Sequence, residues 1–383
     1  MKVNLYGNNA NMAYVWGGYL KKLGVDVTAF VDKKPYDVYH TPEWEYPDHG
    51  RMPDWARVTD ISFKRFFIPS ANEKKFIREL SDCDLIQTFG EAAVWALRTD
   101  KPYVYWSYGY DLDVMPFLKG SIKNFVLSRL ARKSLAKAAR LIYAMPHQKE
   151  LVERLGLSNA EFYSPLPIDV DRYAPFDEAR RGKLRSQYDA DYIFIHLSRH
   201  NWVGDMPDNK GNDRLFTAYR DFIKNTKKKP VLLTVEKGKD VQASKSLIKD
   251  LGIEKYVLWL PVINKEKVIE LLNIADINFD QFCTGSWGLV MLEAMSVGVP
   301  TFIFIHERCK NFYDELPPAI NVNTAGDILG KMMEFAESKD RWADIRERSR
   351  DWVRRHYHWE VVMKKYIEIY KGIVAEKGKR QCM

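Results

Sequence analysis

The chain has 383 residues, of which 46% are hydrophobic and 29% charged, the balance of a folded protein of two or three domains and too apolar for disorder. Lys and Arg number 59 against 51 for Asp and Glu, a net charge of +8. So mild an excess suits an anionic ligand or surface and does not argue for nucleic acid as a partner.

Short apolar runs and helical patterns alternate along the chain. The opening VNLYG (3–7) reads as a buried strand entering a turn, and not as part of a signal peptide, because Asn residues interrupt the apolar stretch. Gly17–Leu23 has helical spacing, and further strands are predicted at 25–32, 85–89, 103–107 and 140–145. Each is bounded by turn or cap residues, the pattern of a parallel sheet with helical crossovers. A mostly polar, proline-bearing stretch from Tyr163 to Lys183 reads as the joint between two units. A second alternation starts at 192–199 and continues through 230–238, 256–261, 275–282 and 299–305, before amphipathic helices between Trp342 and Val374. The predicted fold class is α/β, with two Rossmann-like parallel-sheet domains. No run of about 18 apolar residues occurs that would span a bilayer. Four cysteines without CxxC spacing (Cys83, Cys283, Cys309, Cys382) argue against a zinc cluster or disulfide framework and fit a reducing, cytoplasmic setting.

The segment 119–140 carries seven basic side chains and no acidic one. Phe125, Leu127, Leu130, Leu135 and Leu141 are candidates for an apolar face opposite them. Two readings stand side by side: an amphipathic helix resting on an anionic membrane surface, and a solvated helix packed on its own sheet.

Chemistry is concentrated in two places. At 275–305 a strand, a small-residue loop, a helix and another strand follow one another. The loop CTGSWG (283–288) offers backbone N–H groups at a helix N-terminus, where the dipole favours an anion. Glu293 lies two turns further on, facing either solvent or a partner such as a ribose diol. At 195–219, Arg199 ends a strand and Lys210 opens a helix, so the two cations can converge on a diphosphate. Asp-x-Asp pairs at 111–113 and 169–171 admit a metal-motif reading that the two-domain pattern disfavours. The eight histidines form no HExxH and no ligand triad, so no metal is expected. No GxGxxG opens the chain and no Walker Lys-Ser/Thr occurs, which disfavours dehydrogenases and P-loop NTPases.

Taken together, the motifs resemble the retaining glycosyltransferases of GT-B fold, glycosyl transferases group 1 or family 4-like. The likeness rests on LEAMSVGVP (292–300), preceded by Trp287-Gly288 where the family has Phe-Gly, and on Arg199 followed by Lys210-Gly211. It is supported by YWSYGYDLDVMP (105–116), SPLPIDVDRYAP (164–175) and YHWEVVMKKYIEIY (357–370). The resemblance implies two domains facing across a cleft: an acceptor domain over 1–168, a nucleotide-sugar donor domain over 169–358, and a helix over 359–383 returning to the first domain. It also implies transfer of a sugar from a UDP- or GDP-sugar to a hydroxyl acceptor (glycan, lipid-linked or small molecule), with retention and without metal or other cofactor. On that basis Arg199, Lys210 and Asp111 are expected to be catalytic. Gly7, Asn8, Gly285, Ser286, Trp287, Gly288 and Glu293 are expected to bind the donor, with Glu293 on the ribose, and Tyr108 and Gly109 to lie on the acceptor side. The nucleobase is expected near 236–238 and 260–262.

The sequence departs from the family at three points. Gly285 stands where the first of two glutamates is usual, and Tyr108 replaces a histidine. Residues 200–209 lengthen the loop between Arg199 and Lys210, which brings His200, Asn201 and Trp202 into consideration as donor contacts. An epimerase-like enzyme of the same fold, or a catalytically silent sugar-nucleotide binder, would share the donor site and is the alternative reading. The expected location is the cytoplasm, peripheral at the membrane if 119–140 engages lipid, with no nucleic acid bound.

Overall fold

The computed structural model describes residues 1–33, 41–46, 52–164, 166–204, 208–338 and 342–381. They fall into two compact units, one of Met1–Pro167 with Glu360–Met383 and one of Ile168–Trp359.

The first unit runs β1 (Lys2–Tyr6), α1 (Met12–Lys22), β2 (Asp26–Asp32), α2 (Pro42–Glu45), β3 (Ala56–Thr59), α3 (Ala71–Ser81), β4 (Leu85–Phe89) and α4 (Ala93–Ala96). It continues with β5 (Tyr103–Trp106), α5 (Tyr110–Asp113), α6 (Ile122–Lys137), β6 (Arg140–Tyr143), α7 (Gln148–Arg154) and β7 (Ala160–Phe162). The seven strands are parallel in the order β3-β2-β1-β4-β5-β6-β7. Strand order therefore reverses between β1 and β4, and the loops leaving those two strands flank the crevice where ligands of such sheets bind. The central strands are buried on both faces, which explains why apolar residues predominate on both sides of them. Ser70 and Glu73 close a capping box that sets the start of α3.

Helix α6 corrects one expectation. Its buried side is made of Ser128, Ala131, Ser134 and Leu135, while Phe125 stands exposed together with Ile122. Small residues let the helix sit close to the sheet, so the large side chains at its start project outward rather than forming one apolar face.

The second unit begins with α8 (Glu178–Arg185), β8 (Tyr192–His196), α9 (Asn212–Asn225), β9 (Pro230–Val235), α10 (Val241–Asp250), β10 (Val257–Leu260) and α11 (Lys265–Ile274). It is completed by β11 (Ile277–Phe279), α12 (Leu289–Val297), β12 (Thr301–Ile303), β13 (Ile320–Asn321), α13 (Ala325–Glu337) and α14 (Ala343–Tyr357). The parallel order is β10-β9-β8-β11-β12-β13, so the reversal lies between β8 and β11. Its core gathers Phe194, Phe216, Phe222, Phe279, Phe302 and Phe335 between sheet and helices. The polar stretch expected to be a plain joint contains α8, none of whose residues is fully buried, so that it shows no apolar stripe. Finally α15 (Trp359–Gln381) packs on the first unit, where Tyr366 meets Trp16 with ring centroids 4.6 Å apart and the Tyr370 hydroxyl donates to Gln87 at 2.9 Å.

Among the described residues no helix is long and apolar enough to cross a membrane.

Candidate donor and acceptor sites

In the second unit, the loops that leave β8 and β11 bring the expected cations and the small-residue loop together. Arg199 is exposed just past β8. The Lys210 backbone is pinned on both sides: its N–H donates to Asn201 at 2.7 Å, and its carbonyl accepts from Phe282 at 2.8 Å. The Lys210 ammonium donates to the side-chain oxygen of Gln281, whose amide nitrogen in turn donates to the Ser286 carbonyl. Gln281, which the motif reading passed over, thus ties the cation to the 283–288 loop. Burial holds the Lys210 pKa below its ordinary value, with Asp280 opposing the shift and Arg199 adding to it. Asp280 is itself buried, takes a hydrogen bond from Ser198, and is pushed up by burial while Lys210 pulls it down.

The loop carries four of the residues expected to bind the donor. Gly285 has φ +72°, and a Cβ there would lie 2.8 Å from the Cβ of His306. Only glycine fits both that backbone and that wall, which is the physical reason for the missing glutamate. The Trp287 ring is buried, its indole N–H donates to the Tyr357 hydroxyl at 3.0 Å, and it packs at a tilt against Tyr313 with ring centroids 4.4 Å apart. Its side chain belongs to the packing against α14, and only its amide is left for a ligand. Gly288 caps α12. Among the described contacts, the backbone N–H groups of Gly285, Ser286, Trp287 and Gly288 donate to no protein acceptor, although the first three residues are buried. Buried N–H groups are seldom left unpaired, so this cradle calls for a ligand acceptor.

Glu293 is buried rather than solvent-facing, and its partner is inside the protein. Its Oε1 accepts from the Lys265 ammonium and from the Tyr173 hydroxyl, the latter at 3.1 Å. His200 corrects another expectation: it does not reach outward. It is fully buried, with Nδ1 3.0 Å from Ser244 Oγ and Nε2 3.0 Å from Thr234 Oγ1, and burial lowers its pKa to about 3. His196, lowered by burial to about 4, pairs with the Phe279 carbonyl at 2.9 Å and with Asn212 at 2.7 Å. These two neutral rings anchor the strand end from which Arg199 projects. Asn201 is buried, and Trp202 donates its indole N–H to Ser244 at 2.8 Å.

In the first unit, Gly7 and Asn8 form the turn from β1 into α1. The Asn8 side chain is spent on that turn, accepting the Tyr14 N–H at 3.0 Å and donating to Asn11 at 2.8 Å. Beyond β5, Asp111 is fully buried and its Oδ1 accepts the N–H groups of Tyr108 at 3.2 Å and Gly109 at 3.1 Å. Burial, reinforced by the negative charge of Glu91, raises Asp111 to about 7. The Tyr108 hydroxyl donates to Glu91, and burial followed by that same charge raises the phenol well above its usual range. Gly90 makes room for the Tyr108 ring: a Cβ at 90 would lie 2.1 Å from it.

The sequence model of the family described as glycosyl transferases group 1 matches residues 202–351. This segment belongs to glycosyl transferases group 1. The group 1 segment contains Lys210, the 283–288 loop and Glu293, whereas Arg199 stands just before it. The chain is 24% identical over 202 residues to N-acetyl-alpha-D-glucosaminyl L-malate synthase of Bacillus anthracis, across 51% of this chain and 50% of that protein. It is 22% identical over 222 residues to a GDP-mannose-dependent alpha-(1-6)-phosphatidylinositol monomannoside mannosyltransferase of Mycobacterium tuberculosis, across 55% of each. The match thus spans about half the length of these curated relatives. Among solved structures, Anabaena HepE in complex with UDP and glucose superposes with a TM-score of 0.73 at 16% identity, covering 97% of this chain and all of that one (100%). Sucrose-phosphate synthase of Thermosynechococcus elongatus gives 0.68 at 15% identity, covering 98% and 99%. The fold is that of GT-B glycosyltransferases, two Rossmann-like α/β units with parallel sheets of seven and six strands.

Proposed function

We propose that the protein is a glycosyltransferase that moves a sugar from a nucleotide-diphosphate donor to a hydroxyl acceptor, with retention at the anomeric carbon. The observation that carries this reading is the unspent N–H cradle of 285–288 beside Lys210 and Arg199. A diphosphate is the ligand such a set recognises: cations for its charge, fixed amides for its oxygens or for the sugar. Donor names among the relatives agree in class, GDP-mannose in the mannosyltransferase and UDP in HepE.

In this reading Arg199 and Lys210 take up the charge that develops on the departing diphosphate, so transfer needs no bound metal. Both described contacts of Glu293 fall on Oε1, which leaves Oε2 for a ribose hydroxyl. Gly7 and Asn8 offer backbone at the turn after β1. Asp111, with a pKa of about 7, is poised to exchange a proton near neutrality, next to Tyr108 and Gly109 on the acceptor side. Acceptors under this proposal are glycans, lipid-linked sugars or small hydroxyl compounds, and the basic helix α6 is assigned to an anionic membrane surface.

Gly285 supports one competing reading, a sugar-nucleotide binder without turnover, because no carboxylate can reach the sugar from that position. A thermal-shift and calorimetry screen of UDP, GDP, ADP and their sugar conjugates, with and without EDTA, tests the proposal. Metal-independent binding of one diphosphate, with turnover on a hydroxyl acceptor, is the expected result. Binding without turnover on any acceptor leaves the binder, and no binding at all sinks both.

A further inference from the structure

The connection between β3 and α3 uses its phenylalanines in two ways. Phe66 is buried, with its ring 5.4 Å from Trp95 and the Arg98 guanidinium 5.6 Å from its centroid. Phe63 and Phe67 pack on it at 5.8 Å and 5.2 Å, yet they are 40% and 61% exposed, and neighbouring Ile68 is 80% exposed. Lys64 and Arg65 stand exposed between them. Phe66 acts as a plug that holds the outer side chains in water, where burial would otherwise be favoured.

Directly beside this protrusion lies an open surface hollow of about 730 Å³, whose lining includes Pro69, Lys74, Arg78, Arg98 and Asp100. Among the described residues, Lys74, Arg78 and Arg98 have no ion-pair partner, and Asp100 is the sole acidic group in the lining. A net-cationic hollow is therefore continuous with an apolar tip. Strand order and right-handed crossovers place α3, α4 and α6 on one face of the sheet. At the start of α6 the same combination recurs, with Ile122 86% and Phe125 59% exposed and the Arg129 guanidinium over the Phe125 ring.

We infer that the open hollow beside α3 binds the anionic headgroup of a membrane lipid. Its phosphate is held by Lys74, Arg78 and Arg98, while Phe67 and Ile68 enter the acyl region. Cations at the headgroup level with large apolar side chains just beyond them are what an anionic bilayer surface stabilises. This site is separate from the donor cradle and from α6, and it stands whether or not the donor reading holds.

The test is co-sedimentation of the whole chain with phosphatidylcholine vesicles, with and without phosphatidylglycerol. Binding to the anionic vesicles is expected, at least about tenfold stronger than to the neutral ones. The variants R78E/R98E and F67S/I68S, all at exposed positions, are each expected to weaken it about tenfold or more, with Tm and the nucleotide-diphosphate thermal shift unchanged. Wild-type binding by R78E/R98E, with loss only in K123E/R129E of α6, overturns the assignment. So does saturation of the hollow by inorganic phosphate without vesicle binding. Absence of a nucleotide shift in the wild type bears on the donor site alone.

Discussion

Lys265 rests its ammonium on the carboxylate of Glu293, 28 positions further along, and both side chains are almost wholly buried. The pair joins the start of α11 to α12, and Tyr173 adds a hydroxyl to the same oxygen. A buried pair contributes little over a well-packed apolar one, but removing one partner strands the other charge. Lys265→Met is expected to cost about 3–5 kcal/mol in urea unfolding, and Lys265→Met with Glu293→Gln to recover much of it. If the double variant is as unstable as the single one, the pair is not what holds these helices.

Lys210→Ala is expected to lower kcat/KM about 100-fold or more while leaving Tm near the wild-type value, since the ammonium is assigned to the diphosphate. An unchanged rate would remove Lys210 from the site.

Asp280 is the buried negative charge that opposes the lowering of the Lys210 pKa. In Asp280→Asn the ammonium keeps Arg199 as a repelling neighbour and loses the larger of its acidic neighbours, with Asp208 remaining, so its pKa falls further. The alkaline limb of the activity profile should therefore move to lower pH. A profile identical to wild type would show that Lys210 does not titrate over the measured range.

Asp111 keeps its proton in the folded state up to about pH 7, whereas its ordinary value is 3.8. Between those values the folded chain holds a proton that the unfolded chain gives up. Stability from this residue is therefore full at the acid end, falls as pH rises through the window, and levels off above 7. The slope is about 1.4 kcal/mol per pH unit. Asp111→Asn removes that slope while retaining an oxygen for the two N–H groups. Urea unfolding of both proteins at several pH values measures the difference, and parallel curves would refute the shift.

Gly90→Ala collides with the Tyr108 ring and imposes a side chain on φ +58°. A loss of about 2–4 kcal/mol is expected. The double variant Gly90→Ala with Tyr108→Ala should lose less than the two single losses added together, because the collision is gone. Strict additivity would mean that the two residues do not compete for space.

The parallel sheets were legible because apolar residues predominate in their central strands: Val3, Leu5, Phe194 and Ile195 lie in strands buried on both faces. Short edge strands such as β7, all half-exposed, and β13, of two residues, carry no such signal. Helix α8 escaped notice for the same reason. At the site, Arg199, Lys210 and the loop before α12 could be picked out because the turn and helix positions are local. What could not be read were partners distant in sequence: Lys265 and Tyr173 on Glu293, Gln281 between Lys210 and Ser286, Tyr357 beneath Trp287. His200 was drawn outward in the sequence reading because it follows Arg199, yet Ser244 and Thr234 turn it into the core.

Gly285 has a consequence for how this loop can change over time. A glutamate there meets two obstacles at once, the left-handed backbone and the Cβ of His306 at 2.8 Å. Trimming His306 alone leaves the backbone wrong, and relaxing the backbone alone leaves the wall in place. Neither step brings an advantage by itself, so a lineage that has accepted glycine at this position does not drift back to the carboxylate one substitution at a time. The departure works as a ratchet, and under the proposed function the sugar is met at this position by main-chain amides rather than by an acid.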